Sequence, residues 1–127
     1  MAHKVSWLSG KNVLLVEFHH DVDVAELEAL NGELKGYVRH GEAPVHIIMD
    51  VCEMQRMNMN LRSMGDAFGN IEDSDIGLII TVGDNGNARL FEQTLSSAFR
   101  VRSRMMRNLD SAVNVIREED NRISTSQ

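Results

Sequence analysis

Apolar residues fall along this chain in two rhythms. Residues 13–18, Val-Leu-Leu-Val-Glu-Phe, and residues 76–82, Ile-Gly-Leu-Ile-Ile-Thr-Val, are short and almost continuous apolar runs, the pattern of strands covered on both faces. Residues 45–49 form a third run directly behind Pro44, the only proline. Elsewhere the period lengthens. Leu27, Leu30, Leu34 and Tyr37 or Val38 recur at three- and four-residue intervals, as on one face of a helix. Asp23 and Glu26 have capping-box spacing ahead of that helix, and Gly41 stands just past its end. Gly32 and Gly36 inside it cost about 1 kcal/mol each relative to alanine, a cost that a close neighbour on that face would explain.

Three further helices are predicted. Asn60 caps one carrying Leu61, Met64 and Phe68, broken by Asp73-Ser-Asp75; residues 88–98 form another that buries Phe91, Leu95 and Ala98. Asn108 caps the last, with Leu109, Ala112, Val113 and Ile116 on one face. Residues 4–8 and 13–18 read as a hairpin across a short turn, and residues 100–106 alternate Arg100, Arg102 and Arg104 with Val101, Ser103 and Met105, which is the period of a strand. The order is ββαβαβαβα. Such alternation gives an α/β domain with a central mixed, mostly parallel sheet and helices packed on it. The domain spans residues 1–119, and residues 120–127 form a polar, frayed tail.

Composition narrows the partners. The chain has 127 residues, enough for one core and too few for two. A net charge of −6 argues against nucleic acid and against anionic membranes held by charge alone. The single cysteine, Cys52, leaves no internal disulfide and fits a reducing compartment. No apolar stretch has signal-peptide length or the roughly 20 residues of a membrane span, so the expected location is the cytoplasm.

The segment 45–64 concentrates the candidate chemistry. An apolar strand runs into Asp50, and Cys52, Met54, Met57, Asn58, Met59, Asn60 and Met64 follow in a predicted loop and helix start. Methionines are flexible and polarisable, which suits an adaptable apolar contact if exposed and a gap-filling role if buried. Asp21, Asp50 and Asp84 follow three strands, where open α/β sheets bind ligands, so a metal-dependent site with His19 and His20 is an alternative. Aspartates also cap turns and helices, and adjacent histidines in a strand face opposite ways. His46 reads as a partly buried polar residue of its strand. Cys52 has no base at a supporting spacing, and 83–87 lacks the spacing of a phosphate loop. The arginines of 100–104 form either an anion-binding stripe or a solvated edge.

The pattern resembles the SpoIIAA-like proteins of the STAS superfamily over residues 5–118. The resemblance rests on Trp7 and Val13-Leu-Leu-Val-Glu-Phe18, the helix of 23–41, and Ala43-Pro-Val-His-Ile-Ile-Met-Asp50. Ile79-Ile-Thr-Val-Gly-Asp84, Arg100-Val-Arg102 and Leu109-Asp-Ser-Ala-Val113 also fit. It implies a small non-enzymatic domain that needs no cofactor and acts on a protein partner or a second copy of itself. Some SpoIIAA-like proteins also resemble the CRAL-TRIO lipid-binding fold, which implies a carrier of an apolar ligand or lipid, or a membrane-associating module, as the alternative. The anti-sigma-factor antagonists of the superfamily place a phosphorylated serine at the helix start after this strand. Here Asp50 is kept and the helix start reads Asn58-Met-Asn60-Leu61 without the serine; Ser63 lies one turn further on. The predicted contact surface is therefore the rim formed by Asp50, Cys52, Met54, Met57, Asn58, Met59, Asn60 and Met64, with no phosphorylation site and no metal.

Overall fold

A computed structural model describes residues 3–58, 75–98 and 102–125. Their elements are β1 (His3–Ser9), β2 (Val13–Asp23), α1 (Val24–His40), β3 (Val45–Asn58), β4 (Ile76–Val82), α2 (Gly86–Ala98), β5 (Arg102–Met106) and α3 (Leu109–Thr125). The five strands form one sheet in the order β1-β2-β3-β4-β5. β1 runs antiparallel to β2, and every other neighbour is parallel. This is the mixed, mostly parallel α/β sheet that the element order requires. The predicted helix after residue 60 and its residues Leu61, Met64 and Phe68 lie outside the described residues.

Two cores sit on opposite faces of the sheet. On one, Leu14, Val16, Phe18, Ile47, Met49, Val51 and Ile79 meet Leu27, Leu30 and Leu34 of α1 and Phe91 and Leu95 of α2. On the other, Val13, Leu15, Ile48, Leu78, Ile80 and Val82 meet Ala112 and Ile116 of α3. Coverage of both faces is why these strands read as unbroken apolar runs. Two caps are those the sequence spelled out: Asp23 accepts from the Glu26 amide at 3.0 Å, and Asn108 from the Ser111 amide at 2.8 Å. The Glu26 side chain also reaches across to β1. Together with Glu33 (2.9 Å) it hydrogen-bonds the buried His3, tying β1 to α1. Burial opposes the imidazolium there, but the two carboxylates outweigh it and raise the His3 pKa.

Three expectations need correction. A close neighbour does not account for Gly32 and Gly36, since a Cβ added at either would meet nothing within 4 Å. Their cost is uncompensated, so Gly32→Ala is expected to stabilise the fold by about 1 kcal/mol in urea unfolding; a loss of stability would place an unseen contact on that face. His46 is fully buried rather than half-buried. Its Nδ1 accepts from the Leu78 amide at 2.9 Å, and its Nε2 lies 2.9 Å from Asp120. The helix α3 continues to Thr125, so Asp120, placed by the sequence reading in a frayed tail, is helical and anchors a core histidine.

Beyond the core the sheet carries an unforeseen extension. β3 does not end near Met49 but continues to Asn58, and β2 follows it from Phe18 to Asp23. β4 stops opposite Asp50, so past that point the described strands leave β3 paired with β2 alone. β3 carries two extra residues relative to β2 in this ribbon, and His20 takes a left-handed backbone (φ 57°) beside the second shift. Extra residues of this kind bend and twist the strand. Val22, Val51 and Met54 still point inward and close the end of the core.

Candidate functional site

The site is built at Asp50, where the sheet narrows from five strands to the β2–β3 ribbon. Asp50 pairs with Glu17 on one side and Val82 on the other, so it marks the last rung shared with β4. Its half-buried carboxylate accepts the Cys52 amide at 3.0 Å. The Cys52 thiol in turn reaches the Val82 carbonyl at 3.7 Å, bridging the end of β4 to the ribbon. Cys52 is at the surface, yet partial desolvation, followed by the hydrogen bond and negative charge of Asp50 and the charges of Asp84 and Glu53, pushes its pKa up to about 11. A thiol in that state carries little thiolate at neutral pH, and the thiolate is the nucleophile.

Alkylation of Cys52 by iodoacetamide at pH 8 is therefore expected to run about tenfold or more slower than that of free cysteine. Asp50→Asn should speed it, because the substitution removes a charge that disfavours the thiolate. A rate matching free cysteine in the unaltered chain would contradict this electrostatic picture.

The structure separates the predicted site residues. Asp50 and Cys52 lie on the rim as expected, and Glu53, Gln55 and Arg56 join them as exposed neighbours. Met54 does not: it is 3% exposed and belongs to the core, because the extra residue at Cys52 shifts the strand's register and turns position 54 inward. Met57 and Asn58 lie on β3, in the strand rather than in a loop. Met59, Asn60 and Met64 lie outside the described residues. Asp21, Asp50 and Asp84 are not gathered as the metal-site alternative requires. Asp21 stands opposite Arg56, well along the ribbon, and among the described residues no group of three His, Cys, Asp or Glu could hold a metal ion. The arginines of β5 divide too: Arg102 forms an ion pair with the buried Glu119 of α3, Arg104 is exposed, and Arg100 lies outside the described residues.

Sequence reasoning missed a second group at the same end of the sheet. The turn after β4 is shorter than expected, because Asn85 caps α2 by accepting from the Ala88 amide at 2.9 Å. The Asn87 side chain then donates to the Gln55 carbonyl at 3.1 Å, fastening the start of α2 to the ribbon. Gly83 takes φ 157°, and a Cβ there would stand 2.8 Å from that of Ala88; only glycine lets the chain turn so closely from β4 into α2. Asp84 and Arg89, on either side of the cap, line a cleft of about 440 Å³ with Met105, Met106 and Arg107 at the end of β5. A glycine turn at the carboxyl end of a parallel strand was the only signal in the sequence.

Comparison with known proteins establishes the fold. No protein-family model matches the chain, and no curated protein matches it in sequence. Solved structures do match. An uncharacterised protein of the DUF3478 family with a SpoIIAA-like fold, from Shewanella loihica, aligns at TM-score 0.64 and 10% identity over 89% of this chain and 90% of its own. The anti-sigma factor antagonist SpoIIAA in its unphosphorylated form aligns at 0.61 and 13% identity over 91% and 98%. An anti-sigma factor antagonist from Mycobacterium paratuberculosis aligns at 0.56 and 14% identity over 91% and 92%. The chain has the SpoIIAA-like fold that its sequence pattern implies.

Proposed function

We propose that this chain is a non-catalytic interaction module whose partner is a protein that docks on the β2–β3 ribbon. The observation that carries the reading is the ribbon itself. Beyond Asp50 it leaves the width of the sheet and presents Cys52, Glu53, Gln55 and Arg56 to solvent, while Val51 and Met54 hold it from beneath. An exposed, polar and rigidly backed surface suits recognition. Catalysis has less support, since the Cys52 thiol is held protonated by partial burial and by the surrounding carboxylates, whose negative charge disfavours the thiolate nucleophile.

Two of the matched structures are named as anti-sigma factor antagonists, and a protein partner for this chain accords with them. A phosphorylation switch does not accord with the sequence Asn58-Met-Asn60-Leu61, which offers no serine where the resemblance places the phosphorylated one. No helix among the described residues is long and apolar enough to cross a membrane. The chain carrying a photo-crosslinking side chain at Arg56 is expected to capture a discrete protein from an extract of its source cells that the same group at Lys35 of α1 does not. Arg56→Glu should abolish recovery of that protein without moving the melting temperature. Equal capture from both positions would defeat the reading, and a co-purifying lipid with no protein adduct would favour the carrier alternative.

A further inference from the structure

We infer that the cleft at the carboxyl ends of β4 and β5 binds a small phosphomonoester, its phosphate held between the guanidinium groups of Arg89 and Arg107. The topology supplies the first reason. β4 and β5 are parallel neighbours that end together, with Val82 opposite Met106. The chain leaves β4 for α2, which packs on one face of the sheet, and leaves β5 for α3, which packs on the other. Where consecutive connections part to opposite faces, a crevice opens beyond the strand ends, and ligands of open α/β sheets sit in such crevices. The cleft occupies that place, and its volume of about 440 Å³ falls within the range of small-molecule sites.

Charge supplies the second. The protein carries a net charge of −6, yet two arginines converge on this one cleft from separate elements. Arg102 is paired with Glu119, whereas Arg89 and Arg107 form no ion pair among the described residues. Two planar guanidinium groups with free donors match the oxygens of a phosphate. Gly83 donates its amide to the Met106 carbonyl at 2.9 Å, closing the back of the cleft by joining its two strands. Asp84 shares the lining and would repel a bare dianion. It suits a ligand that also carries a hydroxyl, whose proton its carboxylate accepts. Met105 and Met106 give the remainder an apolar wall. The inference is independent of the partner surface, which lies on the ribbon.

The test is a titration of the ¹⁵N-labelled full chain with ribose 5-phosphate, and separately with inorganic phosphate, at constant ionic strength. Saturable shifts are expected at the amides of Gly83, Asp84, Arg89, Met106 and Arg107, with ribose 5-phosphate the tighter ligand. Arg89→Ala and Arg107→Ala should each weaken binding about tenfold or more, and Arg104→Ala, outside the cleft, should leave it unchanged. Shifts that never saturate, or that Arg104→Ala reduces as much as the other two, would overturn the site. Inorganic phosphate binding as tightly as the ester would overturn the role of Asp84. Circular dichroism of each variant separates lost binding from lost fold.

Discussion

Gly77→Ala and His46→Ala should each destabilise the domain by about 2–4 kcal/mol, and the double variant by clearly less than their sum. β4 places two residues, Gly77 and Leu78, where β3 has only His46. A ladder bond is missing there, and the His46 ring replaces it by accepting the Leu78 amide. The ring passes so close to Gly77 that an added Cβ would stand 2.5 Å from its Cε1 and Nδ1. It cannot swing away cheaply, being wholly buried and held on its other nitrogen by Asp120. Alanine at 77 therefore displaces the ring and strands the Leu78 amide. Alanine at 46 strands the same amide and leaves a void. With the ring gone, the clash at 77 has no object, which is the source of the non-additivity. Urea unfolding of the four proteins measures the coupling; strict additivity would mean that the ring does not span this gap.

Phe91→Ala is expected to cost about 3–5 kcal/mol, against the 5–15 kcal/mol typical of a whole domain. Phe91 is fully buried and meets Phe18 edge-on, with ring centroids 5.3 Å apart and planes at 62°. The pair joins α2 to β2 near the end of the five-stranded sheet, so its loss removes burial and an oriented aromatic contact together. Phe91→Leu, which keeps most of the volume, should recover the larger part. A loss under about 1 kcal/mol for the alanine variant would show that α2 is not anchored through this ring. Such loosening would also disturb Arg89, two residues earlier on the same helix, so the anion titration distinguishes a variant that is merely less stable from one whose cleft has opened.

Much of this architecture was visible in the chain before any coordinate. The run 76–82 is a strand with those bounds. Asp23 and Asn108 cap their helices. The ribbon was hidden for a specific reason. From Val51 to Arg56 burial runs in, out, out, in, out, out, because the two extra residues in β3 stretch the strand's period from two to three. A pattern of period three does not look like a strand, and methionines in it look like a loop. Register shifts leave no mark of their own on one chain, because they are defined against a partner strand. The same blindness sent Met54 to the rim when it belongs in the core.

His46 makes the same point for polar residues. Its alternation with Ile47 identified a strand position, but nothing local distinguishes a solvated histidine from one whose two nitrogens are taken by Leu78 and Asp120, 32 and 74 residues away. What the sequence determined by itself is the order of the described strands and helices, the caps at Asp23 and Asn108, and a sheet covered on both faces, because hydrophobic period and capping are local properties of a few adjacent residues. Only the tertiary structure decided which side chains share a site. It set Cys52 against Val82, Asn87 against Gln55, and Arg89 across a cleft from Arg107. Those meetings follow from strand register and from the face on which each helix packs, and neither is fixed until distant segments have paired.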